Sequence, residues 1–205
     1  MRGCLGQHKH QGITALPTRH TRRVATQSAA PTSCAFRLGE RPGKPMRYKD
    51  FERHLHELAA SASDLSRRRF ALDTISRLHA MANDAISTQL TPEERELADY
   101  LNNNVADSDP QTISQKLDAL NGRMTTDPIR AIEFRPSITE WMCAIDNWIA
   151  YLASGDPSAI AELAVNMVNS INYTIGCDIK NMLGSPEMQT EHERQKRLLV
   201  AASVT

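Results

Sequence analysis

His79 is the side chain best placed for acid–base chemistry, because the helical period puts it on an apolar stripe. The stripe comprises Leu65, Leu72, Ile75, Ala82 and Ile86. A histidine among apolar side chains can be a base whose pKa is tuned by burial. It can also be a core histidine bonded to a backbone carbonyl or a neighbouring acid, and the pattern favours this structural role. An enzyme or small-ligand-binding bundle with an interior site near His79 is therefore the alternative prediction.

The spacing of the residues that could bind a metal does not indicate a metal site. The sequence contains no Glu-x-x-His, which excludes the ordinary di-iron site of helical bundles. His54 and His56 are two residues apart, so a helix would place them about 200° apart, on different faces. The four cysteines lack paired metal-ligand spacing and are predicted to remain thiols: Cys4, Cys34, Cys143 and Cys177. We predict no metal and no cofactor.

Nucleophilic and phosphate chemistry are also unsupported. No serine or cysteine stands in a strand-turn-helix context, and no glycine-rich phosphate loop is present. The triplet Arg67–Arg69 could meet phosphate, but its side chains fan around a helix and are more typical of a solvated basic turn. The sequence predicts that the protein is not an enzyme.

Start and stop signals predict a single α-helical bundle of six or seven helices. Thr91-Pro-Glu-Glu94 is a capping box, and Asp109-Pro110 and Gly184-Ser-Pro186 open further helices. No run alternates apolar and polar residues with β-branched enrichment, so no sheet is expected. The predicted helices cover 48–60, 64–86, 92–104, 110–121, 137–152, 157–175 and 187–200. Asp127-Pro128 could add one short turn.

The clearest fold signal is a helical hairpin between Ser137 and Ile175. Ser137 and Glu140 have the form of a capping box, while Gly155 and Asp156-Pro157 form a short turn. The first helix has one apolar stripe, comprising Ile138, Trp141, Met142, Ile145, Trp148, Ile149 and Leu152. The second has another, comprising Ile160, Leu163, Ala164, Met167, Val168, Ile171 and Ile175. Such stripes should pack antiparallel around a core.

The hairpin's opposite faces supply the predicted partner-binding surface. The first helix contributes Glu140, Asn147 and Tyr151, and the second contributes Glu162, Asn166, Asn169 and Tyr173. Tyrosine is favoured at protein interfaces, and amides flanked by acids can accept hydrogen bonds from a basic partner. An ordinary solvated face would look the same.

Charge divides the chain into a basic leader, residues 1–45, and a helical domain, residues 46–205. The leader holds eight of the 24 bases and one of the 24 acids, so the remainder is acidic by seven charges. Its composition predicts a disordered tail or an extension upstream of a true start at Met46. A transit peptide and a nucleic-acid-binding arm are the alternatives. The acidic domain itself makes nucleic acid an unlikely partner.

Hydropathy gives no sign of a membrane segment. No run reaches the roughly 18 to 20 apolar residues that a span needs, and the N-terminus lacks a secretory apolar core. The expected location is the cytoplasm.

Three further patterns stand out along the predicted helices: Arg69-Phe-Ala-Leu72 leading into Arg77-Leu78, the helix Trp141–Leu152, and Gly155-Asp-Pro-Ser158 with the helix after it. Together they resemble the small all-α bacterial YjaG-like family of unknown function. The layout is also similar to all-α immunity proteins encoded beside polymorphic toxins. His79-Ala-Met-Ala82 replaces the family's Pro and Tyr, and no functional residue is carried over. The acidic domain, the absence of a catalytic constellation and this resemblance together predict a non-enzymatic interaction protein, with toxin neutralisation as its most concrete version. The oligomeric state is left open.

Overall fold

The computed structural model describes residues 45–126, 136–176, 178 and 180–200. The predicted leader, except Pro45, and the predicted turn at Asp127-Pro128 lie outside these residues, as do Cys4, Cys34 and Cys177. Seven α-helices occupy the described ranges: α1 (Tyr48–Ser61), α2 (Asp64–Gln89), α3 (Pro92–Asn104), α4 (Pro110–Thr126), α5 (Pro136–Ser154), α6 (Pro157–Ile175) and α7 (Pro186–Val200). A 3₁₀ turn, Met182–Gly184, precedes α7, and none of the described residues forms a strand. The predicted all-α bundle is confirmed.

Capping side chains account for most of the helix starts. Thr91 Oγ1 accepts a hydrogen bond from the Glu94 amide at 3.3 Å, and the Glu94 carboxylate accepts one from the Thr91 amide at 2.8 Å. The predicted capping box is confirmed. Asp156 accepts from the Ser158 amide at 2.9 Å, directly ahead of α6. Gly155 supplies a φ of 70° that closes the turn between α5 and α6. The α5–α6 hairpin therefore forms where the turn residues predict.

Some helix boundaries and some residues of the predicted stripes differ from the predictions. Helix α5 begins at Pro136, so Ser137 is already helical and is not the N-cap. Helix α4 continues through Gly122, because Met124 extends its buried stripe by one more turn. Leu65 and Ile175 were predicted to face inward but are exposed. Both lie at helix ends, where fewer neighbouring elements cover a side chain.

The core lies between the α5–α6 hairpin and the other helices. Helix α6 packs against α5, α1 and α2, while α2 also packs against α5 and α7. The largest fully buried side chains come from five helices and include Trp141, Tyr151, Phe51, Phe70, Leu101 and Leu120. Trp148 donates from Nε1 to the Val105 carbonyl at 3.1 Å, which fixes the end of α3 against α5. This packing leaves one flank of the hairpin beside α1 and the other beside α2.

None of the helices in the described ranges combines the length and apolar character needed to span a membrane.

Candidate functional site

A chain of side-chain hydrogen bonds joins α5 to α6 along one edge of the hairpin. Asn147 donates from Nδ2 to Asn166 Oδ1 at 2.9 Å, and Asn166 donates from Nδ2 to Glu140 Oε2 at 2.8 Å. Asn169 also hydrogen-bonds to Glu140. Because each amide is held by its neighbours, these side chains present a fixed arrangement of donors and acceptors. Four of the seven predicted surface residues are thus brought into one network.

Helix α1 extends this network with residues that the sequence did not single out. Tyr48, Glu52 and His56 are four residues apart, so they form one row along the flank of α1 that faces α6. His56 Nε2 lies 3.6 Å from Glu162 Oε1. We call the combined surface the acid–amide face, which comprises Tyr48, Glu52, His56, Glu140, Asn147, Glu162, Asn166, Asn169 and Tyr173.

The acid–amide face is electronegative, as its ionisable groups show. Burial, and then the charges of Glu52, Glu162 and Glu140, raise the pKa of Tyr48 to about 12. Burial also raises the pKa of Tyr173, with Glu140 adding to the effect. Three carboxylates therefore act on the Tyr48 hydroxyl and one, Glu140, acts on the Tyr173 hydroxyl, and both hydroxyls stay protonated and able to donate hydrogen bonds at neutral pH.

Glu140 is more enclosed than predicted. Its exposed fraction is 9%, so it lies beneath the acid–amide face and is not an outward contact residue. Burial raises the pKa of its carboxyl, while the hydrogen bonds from Asn166 and Asn169 lower it. The prediction of an exposed Glu140 is wrong because helix α6 crosses over it. Its role in the network is to orient the two asparagines.

Tyr151 does not belong to the acid–amide face, so its predicted place on the outer surface is wrong. It is 1% exposed, stacks on Trp148 with a centroid distance of 5.9 Å, and donates its hydroxyl to Asp64. Tyr151 lies off the apolar stripe of α5, but helix α2 packs against the side of α5 on which it lies. Tyr173, by contrast, is 61% exposed, as predicted.

No protein-family model, curated protein or solved structure matches this chain.

The histidines separate as the helical period requires. His54 turns toward α7, where its ring lies 5.2 Å from that of His192, whereas His56 turns toward Glu162 on α6. The prediction that His54 and His56 lie on different faces is confirmed. Within the described ranges, no group of three metal-ligand side chains converges.

His79 is half-buried on α2, against the ring of Trp141 at a centroid distance of 5.1 Å. Burial lowers its pKa, and the charge of Asp99 opposes that shift. Among the described residues, neither His79 Nε2 nor Trp141 Nε1 finds a hydrogen-bond partner, although both atoms are buried. His79 thus packs against an aromatic ring, but among the described residues its Nε2 lacks the hydrogen bond to a carbonyl or an acid that was predicted for a core histidine.

Two residues of the triplet Arg67–Arg69 make separate contacts within the protein. Arg67 donates to the carbonyls of Ala59 and Ala60, at 2.8 and 2.9 Å, and so caps the end of α1. Arg68 pairs with Asp64 at 2.7 Å. These contacts give two of the three guanidinium groups intramolecular roles that a solvated basic turn would lack.

Proposed function

We propose that this chain is a non-enzymatic protein-interaction domain whose acid–amide face binds a basic surface of another protein. The supporting observation is the hydrogen-bonded chain from Asn147 through Asn166 to Glu140, which preorganises polar groups beside the exposed ring of Tyr173. Preorganised side chains lose little conformational freedom on binding, so more of the contact energy contributes to affinity.

The chemistry of the face indicates what kind of partner it suits. Glu52 and Glu162 provide negative charge at its centre, and the amides and tyrosine hydroxyls can bond to both donors and acceptors. Such a surface complements lysine and arginine side chains and would accelerate association with a basic partner. A toxin domain that acts on nucleic acid has a basic cleft of this kind, so toxin neutralisation is the most concrete form of the proposal.

The test uses the protein encoded by a reading frame next to the gene. The full chain and that product are purified and their affinity is measured by calorimetry, with growth rescue measured on co-expression. Glu162→Lys and Tyr173→Ala should each weaken binding by about tenfold or more, because they reverse a central charge and remove an interface aromatic. Glu96→Lys, a charge reversal at an exposed site on α3, should leave the affinity unchanged.

Two outcomes would contradict the proposal. One is that no neighbouring gene product binds the full chain. The other is that a product binds but its affinity is the same for the two face variants as for the unaltered chain.

A second candidate function, a small-ligand site near His79, is favoured by the two unsatisfied nitrogens of His79 and Trp141. The two atoms belong to neighbouring rings, and buried polar atoms are costly unless something bonds them. Native mass spectrometry of the purified full chain tests this candidate. A retained molecule that His79→Phe abolishes would support it, and an unliganded mass for the unaltered chain would count against it.

A further inference from the structure

A groove separate from the acid–amide face lies where α2, α6 and α7 meet. It has a volume of about 490 Å³. Helix α2 contributes Arg77 and Met81, α6 contributes Ile171 and Ile175, and α7 contributes Glu187. Met81 and Ile175 are each 37% exposed, and they are two of the five large apolar side chains that the described residues expose. Clustering of such side chains is typical of a contact surface.

The groove carries opposite charges on its two helical walls. On the α2 wall, the Arg77 side chain is half exposed and its guanidinium lies 3.9 Å from Glu191. Glu191 is already held by two hydrogen bonds from Arg194, at 2.7 and 2.9 Å, so Arg77 keeps donors available. On the α7 wall, Glu187 is exposed and makes no hydrogen bond or ion pair with another described residue.

We infer that this groove is the interface of a symmetric dimer and that its occupant is a second copy of this chain. A two-fold axis that runs along the groove brings the α2 wall of each copy against the α7 wall of the other. Arg77 of each copy then faces Glu187 of the other, and the apolar side chains between them meet across the axis. A purely basic or purely acidic partner would match only one wall, whereas a second copy matches both.

The dimer is separable from the proposed partner-binding function. The acid–amide face lies along α1, α5 and α6, and none of its residues lines the groove. Each copy of the dimer would therefore keep that face available, and variants in the groove should not change binding through it.

Sedimentation velocity on the full chain across a range of concentrations tests the inference. The unaltered chain should dimerise, and Arg77→Glu or Glu187→Lys should each raise the dimer dissociation constant by about a hundredfold, because each places like charges opposite one another twice. The double variant Arg77→Glu with Glu187→Lys should restore the dimer. Arg123→Glu on α4, a helix that does not line the groove, is the matched control.

Glu187→Lys guards against a folding artefact, since Glu187 makes no side-chain hydrogen bond or ion pair with another described residue. Its melting temperature should fall by no more than a few degrees, because the change places a positive charge in the first turn of α7. A chain that stays monomeric at every concentration overturns the inference. So does a dimer that both single variants leave intact, or one that the double variant fails to restore.

Discussion

The hydroxyl of Tyr151 donates a 2.5 Å hydrogen bond to Oδ1 of Asp64, joining the last turn of α5 to the first turn of α2. The same carboxylate accepts from Arg68 through its other oxygen, at 2.7 Å. These bonds lower the pKa of Asp64, with the Tyr151 bond contributing most. Because the Tyr151 ring is buried while Asp64 is exposed, the contact ties a core side chain to the protein surface.

Tyr151→Phe should lower the melting temperature by a few degrees, because it removes this bond but keeps the ring in place. Asp64 has a lowered folded-state pKa, so its contribution is present above its ordinary value near 3.8 and is lost as the pH falls through the folded value. The variant should therefore show a weaker loss of stability on acidification. Calorimetric melts between pH 7 and pH 3 measure both effects. Tyr173→Phe, at an exposed ring, should behave like the unaltered chain.

His192 should make the bundle sensitive to mild acid. Burial, followed by the charges of His54 and Lys196, lowers the pKa of this imidazole to about 4, while Glu193 opposes the shift. Since the unfolded-state value is near 6.5, the folded state is favoured above pH 6.5 and loses stability as the pH falls toward 4.

Between pH 7.5 and pH 5, His192 should account for a loss of about 2 kcal/mol in the free energy of unfolding. Urea titrations at the two pH values measure it. His192→Leu should remove most of the difference, and His56→Gln, a change at a more exposed histidine on α1, should keep it. A His192→Leu variant with the full pH dependence would assign the effect to another group.

Arg194 is the centre of a buried charged network between α7 and α2. It donates to Glu191 twice, to Thr74 at 3.0 Å and to Asp73, and its guanidinium lies 5.3 Å from the centre of the Phe70 ring. Arg194→Leu should cost about 3–5 kcal/mol in urea denaturation, because the buried Glu191 loses both hydrogen bonds from Arg194 and keeps, among the described residues, only Arg77, at 3.9 Å, as a nearby cation. Adding Glu191→Leu should recover much of the loss. A double variant that is destabilised by the sum of the two single changes would show that the pair is not coupled.

Glu140→Gln should stabilise the domain modestly at neutral pH. Burial raises the pKa of Glu140 in the folded state. A carboxyl whose folded-state pKa is raised stabilises the fold below its unfolded-state pKa and loses that contribution as the pH rises. The amide has nearly the same shape and can still accept from Asn166. Urea denaturation at pH 7 and pH 4 should show the gain at pH 7 and little difference at pH 4. A loss of stability at pH 7 would mean that the negative charge itself is required.

Local signals predicted most of the fold because they act within one helical turn. The Thr91 and Glu94 capping box, the left-handed Gly155 and Asp156 ahead of Pro157 all occur where their residue types require. Helical periodicity identified the inner stripes, since Trp141 and Leu163 are fully buried. Each of these inferences needs only the chain within a few residues.

The sequence predicted only part of the candidate site. The helical period shows on which face of a helix a residue lies, but it does not show which other helices cover that face. Glu140 and Tyr151 both lie off the main stripe of α5, and each is covered by a different helix that no local pattern foretells. Tyr48 on α1 was missed because its partners are more than 90 residues away. The four-residue spacing of Tyr48, Glu52 and His56 was the signal that could have found them.

The helix predicted over 187–200 is rich in charged residues, yet Glu191, Arg194 and Gln195 are buried. Charge content alone cannot reveal such burial, because it depends on Asp73 and Thr74 some 120 residues earlier.

The position of α7 also determines when the bundle can finish folding during synthesis. Helices α1 and α2, on which it packs, are synthesised more than 90 residues earlier, and Met182, just before it, donates its amide to the Met46 carbonyl at 2.8 Å. Until residues 182–200 emerge, nothing from α7 can cover Phe51 or supply the guanidinium that lies over Phe70. The nascent bundle therefore remains open along one side until residues 182–200 have been synthesised and α7 closes it.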